Sequence, residues 1–151
     1  MTKYLLDTNI ILRFSNPSDA QHQLVSDAVA ILLEQGHDCL LSPQALVEMW
    51  VVVTRPTNVN GLGWSTDYMR EIVDGLLETF PLVDEMPQLF PSWLELVTEN
   101  QIKGKRAHDA RMIAFMRNAK ISHILTLNPS DFSGVSDITI VHPQEVLKSK
   151  N

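Results

Sequence analysis

Short apolar runs alternate along the chain with longer stretches in which apolar residues recur every three or four positions. The first run, Tyr4-Leu5-Leu6, has the length of a buried strand, and Asp7 falls where that strand should end. A second apolar run, Ile10-Ile11-Leu12, follows the polar triplet Asp7-Thr8-Asn9. Asn16-Pro17-Ser18 reads as a helix start, with proline near the first helical position. Leu24, Val25, Ala28, Val29, Ile31 and Leu32 keep helical spacing until Gly36 supplies a stop. Residues 38–42 predict a second strand, and Ser42-Pro43 opens a helix that Arg55-Pro56 ends, since a residue before proline resists helical geometry. The stretch 56–63, rich in Asn and Gly, predicts a flexible flap. Ser65 caps a helix running to about Thr79, Pro81-Leu82-Val83 reads as a weak third strand, and 87–101 as a helix containing Trp93. The basic linker Lys103-Gly104-Lys105 leads into a helix over 106–120. A fourth strand over 122–127, the loop 128–132, a fifth strand over 138–141 and a short helix from Pro143 complete the chain.

Strands separated by helices, with no tight hairpin signals, mean βαβ units and a mainly parallel sheet, here a three-layer α/β/α arrangement. Ligands bind such sheets at the carboxyl ends of the strands, where strand order reverses. Asp7 and the loop after Leu127 belong to that edge.

Composition narrows the class. A length of 151 residues predicts a single domain, and 44% hydrophobic with 20% charged residues is ordinary for a soluble globular protein. The lone cysteine, Cys39, rules out an internal disulfide and a cysteine-rich zinc site, and its apolar neighbours predict a core position. The absence of a basic leader and of a long apolar span predicts a cytoplasmic protein. A net charge of −6 argues against gripping long nucleic acid through a broad basic face. It leaves a nuclease open, because carboxylates that hold metal count toward that total.

Four acidic or amide positions stand out. Asp7 interrupts two apolar runs; a buried carboxylate needs a partner, a proton or a metal, although Asp before Ile10 also suits a helix cap. Glu48 is the only charge from Ala45 to Val53, in a helix apolar nearly all round, and its structural alternative is an ion pair with Arg55. Asp109 opens an amphipathic helix, where a carboxylate also complements the helix dipole. Asn128 and Asp131 fall in the loop after the fourth strand, in a sequence that also makes a good turn. Carboxylates clustered at one sheet edge cannot all ionise without a cation, and oxygen ligands without His/Cys spacing select Mg²⁺ or Mn²⁺. His123 on a strand reads as structural, and His108 borders the site. Lys103, Lys105, Arg106 and Arg111 surround Asp109, with Arg117 and Lys120 further along. They read either as a solvated helix face or as groups that position an RNA backbone, and Arg55 offers the same from the other side.

Together, Leu5-Leu6-Asp7-Thr8-Asn9, the helical Glu48, Ala107-His108-Asp109-Ala110 and the segment from Thr126 to Asp131-Phe132 resemble PIN-domain ribonucleases, especially the VapC-type toxins of bacterial toxin–antitoxin pairs. The resemblance covers essentially the whole chain in order and spacing. It implies a PIN-like domain with a five-stranded sheet of order 3-2-1-4-5 between helices, and metal-dependent hydrolysis of RNA phosphodiesters. It assigns Asp7, Glu48 and Asp109 to Mg²⁺ or Mn²⁺, with Thr8, Asn9 and Thr126 in support. Many relatives carry aspartate where Asn128 stands, and an amide contributes no charge; Asn128 or Asp131 is left to orient water or a second ion. A small antitoxin partner and a homodimer are implied as well, the latter consistent with the apolar helices that carry Trp50 and Trp93.

Other readings fit less well. A receiver-like signalling module needs an early acidic pair and a phosphoacceptor aspartate after strand three. A haloacid-dehalogenase-type phosphatase needs aspartate two residues after the first, where Asn9 stands. A PIN fold that binds RNA or protein with little or no cleavage survives on Asn128.

Overall fold

The computed structural model describes residues 1–150. Its centre is β1, Lys3–Leu6, whose Leu5 and Leu6 are fully buried because β1 has a strand on either side and helices above and below. Parallel β2, Asp38–Leu40, pairs Leu5 with Leu40; parallel β3, His123–Leu125, pairs Leu6 with Leu125; β4, Thr139–Val141, follows β3. The order is β2-β1-β3-β4. Strands buried on both faces read as continuous apolar runs, which is why these segments show no alternation.

The sheet has four strands, one fewer than expected. Pro81-Leu82-Val83 forms a single parallel bridge, Leu82 to Leu41, outside β2. Leu41 donates to the Pro81 carbonyl at 2.9 Å and accepts from Val83 at 3.0 Å. No second rung follows because Ser42 turns the chain into a helix, so β2 has no further residue to offer. The expected five-stranded order 3-2-1-4-5 thus loses its edge strand 3 and becomes 2-1-4-5.

Helix α1, Thr8–Phe14, starts directly after β1 and absorbs the run Ile10-Ile11-Leu12. Helix α2, His22–Glu34, begins later than Asn16-Pro17 suggests. Asp19 explains the delay: its side chain accepts from Gln21 N at 2.8 Å and holds the backbone in a turn that competes with helix. Helix α3, Pro43–Thr54, is capped by Ser42, whose hydroxyl accepts from Ala45 N, and α4, Thr66–Thr79, is capped likewise by Ser65. Next come α5, Leu89–Glu99, and α6, Arg106–Ala119, which pack on each other, then α7, Pro143–Lys150, which packs on α2.

The stretch expected to be a flexible flap is instead hydrogen-bonded onto the C-terminal end of α3. Gly61, Gly63 and Trp64 donate to the carbonyls of Pro56, Arg55 and Val53 at 3.1, 2.8 and 2.9 Å. A side chain at Gly61 would stand 1.9 Å from the Arg55 carbonyl oxygen, so only glycine fits. This loop closes the end of α3 opposite Ser42.

Cys39 is buried in β2 as its neighbours suggest, and burial pushes its thiol up to about 12. His123 lies against the Tyr4 ring at 4.9 Å, where burial and His37 hold its pKa down, in keeping with a structural role. No described helix is long and apolar enough to cross a membrane.

Candidate active site

Asp7 extends the β1–β3 ladder by one bond, its amide donating to the Leu125 carbonyl at 3.1 Å, and so stands at the carboxyl end of the central strand. It is only 7% exposed. The helix-cap alternative for this residue holds: Oδ1 accepts from Thr8 N at 2.8 Å as the cap of α1. Oδ2 accepts from the wholly buried Thr126 hydroxyl at 2.8 Å and lies 3.3 Å from Asn9 Nδ2. The Asn9 side-chain oxygen, Oδ1, accepts from Leu127 N at 3.1 Å, which ties α1 to the chain leaving β3. Thr126 also accepts from Asn128 N at 3.0 Å. Thr8, Asn9 and Thr126 therefore form one network around Asp7.

Glu48 comes from the second turn of α3. Thr8 donates its hydroxyl to Oε1 at 2.7 Å, and Gln44 Nε2 lies 3.4 Å from Oε2. The alternative partner, Arg55, sits two turns away at the exposed end of α3, and among the described residues it makes no ion pair with Glu48. Asp109 lies in the first turn of α6 and Asp131 in the 3₁₀ turn Pro129–Phe132.

The electrostatics tie these positions together. Burial pushes the Asp7 carboxyl up to about 6; Thr126 and the Thr8 amide pull it down, and the charges of Glu48 and Asp131 add to the rise. Asp109 is pushed up to about 6 as well, first by burial, then by Asp131, Asp7 and Glu48, with His108 opposing. A hard cation fits such a donor set, because it would neutralise mutually repelling oxygen ligands that fold into one neighbourhood. Among the described residues, however, no three His, Cys, Asp or Glu side chains form a metal-binding group as they stand. The fit is one of chemistry and neighbourhood, without a preformed cage.

A polar cleft of about 460 Å³ opens beside Asp109 and Asp131, lined also by Arg106, Asn100 and Ser133. Arg106 thus lines the cleft; both it and Lys105, just ahead of α6, are exposed. Two basic residues have other engagements: Arg117 grips Asp137 through two bonds of 2.8 and 2.9 Å, and Arg111 pairs with Glu85 at 2.9 Å. Asn128 is exposed at the start of the 3₁₀ turn. Sequence reasoning missed Gln44, whose signal was its place one helical turn before Glu48.

No family model matches the chain, and no curated protein matches it. Solved structures do. The chain superposes on VapBC2 from Rickettsia felis, solved with a DNA fragment from its promoter, with a TM-score of 0.70, 16% identity, and coverage of 93% of this chain and 98% of that one. A toxin–antitoxin complex from Klebsiella pneumoniae gives 0.62, 20% identity, 93% and 97%. The Mycobacterium tuberculosis toxin VapC20, described as cleaving the sarcin–ricin loop, gives 0.62, 17% identity, 89% and 98%. At these identities the likeness is one of fold, and the fold is that of the PIN-domain toxins that the sequence motifs resemble.

Proposed function

We propose that the protein is a metal-dependent endoribonuclease that hydrolyses RNA phosphodiester bonds, acting as the toxin of a toxin–antitoxin pair. The observation that carries this reading is Asp7, a buried carboxylate at the end of the central strand on which Glu48 and Asp131 act electrostatically. Asp7, Glu48 and Asp109 would hold the ion. When bound, Mg²⁺ or Mn²⁺ supplies charge neutralisation and a water of lowered pKa. Thr126 and the Thr8 amide fix the Asp7 oxygens, and Thr8 fixes Glu48. Arg106, which lines the cleft from the same helix end as Asp109, would orient a substrate phosphate, with Asn128 or Asp131 orienting water. Lys105 and Arg55 lie further out and would steer backbone through charge alone.

Purified protein is expected to cut RNA in Mn²⁺ or Mg²⁺ and not in EDTA, and Glu48→Gln is expected to lose that activity. Asn128 favours a second reading, a PIN-fold module that binds RNA or protein and cuts weakly. RNA binding without Mn²⁺-stimulated cleavage would select it.

The same reading brings a small antitoxin and a second copy of the chain. Trp50 and Trp93 are partly buried and pack against the core, and the Trp93 indole, which donates to the Ala107 carbonyl at 2.8 Å, lies 5.7 Å from the Phe90 ring. The more exposed apolar surface is on Phe90, 64% exposed, with Met86 and Leu94 close by on the same stretch of chain. We expect light scattering to give a dimer; a species of only 17.0 kDa at high concentration would refute it.

A further inference from the structure

Gln44 stands in the first turn of α3 and makes contacts that the acidic set does not explain. Its Nε2 donates to the His108 carbonyl at 2.8 Å and reaches Glu48 Oε2 at 3.4 Å. Its Oε1 accepts from Arg111 Nη1 at 2.9 Å. Arginine only donates hydrogen bonds, so the Arg111 contact dictates which end of the amide faces it. Both amide hydrogens are thereby turned toward the His108 carbonyl and Glu48. The same Arg111 nitrogen forms an ion pair with Glu85 Oε2 at 2.9 Å, which anchors the guanidinium from the segment before α5. Glu48 is thus held on one oxygen by Thr8 of α1, and on the other by an amide fastened to α6. Helix α6 packs chiefly on α5, and α3 on α1 and α4; besides the Gln44 bonds, a buried contact of Ser42 Oγ, the cap of α3, with Met112 Sδ of α6 at 3.6 Å joins the two helices that present Glu48 and Asp109.

We propose that Gln44, oriented by Arg111, is a positioning residue that sets Glu48 on α3 against Asp109 on α6. The proposal rests on the nuclease reading above. Outer-shell partners of this kind orient ligands whose own charges repel, and their removal typically costs about 10- to 100-fold in affinity or activity.

Gln44→Met keeps the length and helix propensity of the side chain and removes every hydrogen bond. Arg111→Met leaves the amide free to turn over, whereas Arg111→Lys preserves a donor-only cation where a single nitrogen makes both contacts. In Gln44→Met, kcat for RNA cleavage is expected to fall about tenfold or more with KM little changed, and Mn²⁺ to bind several-fold more weakly in a calorimetric titration. Arg111→Met should act in the same direction, Arg111→Lys should restore most of the loss, and the double Met variant should be no worse than Gln44→Met alone. Wild-type kcat and Mn²⁺ affinity in Gln44→Met, or effects that simply add, would overturn the proposal. The side-chain amide of Gln44, followed by NMR, separates the two claims. Slow hydrogen exchange in wild type that becomes fast in Arg111→Met supports the bridge. Fast exchange in wild type overturns it whatever the activity, while a protected amide in a protein that neither cuts RNA nor binds Mn²⁺ overturns the nuclease reading alone.

Discussion

Asp7→Asn is expected to leave the fold intact and to lower Mn²⁺-dependent RNA cleavage by at least about a hundredfold, the upper end of what outer-shell losses alone produce. The fold should survive because asparagine caps helices about as well as aspartate, so the bond from Thr8 N to Oδ1 is retained. The Thr126 hydroxyl, which now donates to Oδ2, can rotate and accept from the new amide. What is lost is charge at the most buried acidic position, and with it, on the proposed function, an anionic ligand. Circular dichroism and a melting curve establish folding, and cleavage is followed on RNA in Mn²⁺ and in EDTA. Cleavage at the wild-type rate by a folded variant would remove Asp7 from the site.

A stability experiment tests the cluster without any substrate. Asp7 and Asp109 both have folded-state pKa values near 6, above the ordinary 3.8. The metal-free folded chain therefore keeps protons that the unfolded chain releases between about pH 4 and 6. Their contribution to stability is fully present below about pH 4 and is lost as pH rises through about 6. Asp137, held low by Arg117, works in the opposite sense at lower pH, so the informative quantity is the difference between wild type and variant. In EDTA at neutral pH, Asp109→Asn should melt at or above the wild-type temperature, by about 2–4 °C for each kcal/mol of repulsion relieved. The gap should close toward pH 4. Mn²⁺ should raise the wild-type melting temperature more than the variant's, because only an ion bound to the folded state stabilises it. A variant that melts clearly lower in EDTA, with equal responses to Mn²⁺, would make Asp109 a simple dipole-complementing residue.

Much of this arrangement was legible from local chemistry. Ser42-Pro43 and Ser65 mark helix starts because a hydroxyl before a helical run has one good use, and both hydroxyls accept the expected backbone bond. Glu48 was visible as a lone charge in an apolar helix, and Asp7 as a carboxylate between two buried runs. What escaped depended on long-range partners. Asn16-Pro17 has the composition of a helix start, but Asp19 spends the backbone on a turn. Pro81-Leu82-Val83 has strand composition, but its partner strand turns away after one rung. Arg111 looked like part of a basic surface, and nothing nearby in the sequence announced Glu85, 26 residues earlier, or Gln44. Charge patterns locate a basic residue; they do not say which carboxylate has already claimed it.

The single rung at Leu41 also bears on how copies of this chain meet. A sheet edge left open is a template for adding strands from other molecules, and long flat edges lead to aggregates. Here both outer strands, β2 and β4, are three residues long, and β2 opens on the charged Asp38. One end of β2 is further blocked by the passing backbone of Leu82. So short a template offers an incoming strand too few hydrogen bonds to fix its register. The dimer proposed above would therefore be steered away from the sheet and onto side-chain surfaces, where shape selects the partner and growth can stop at a closed pair.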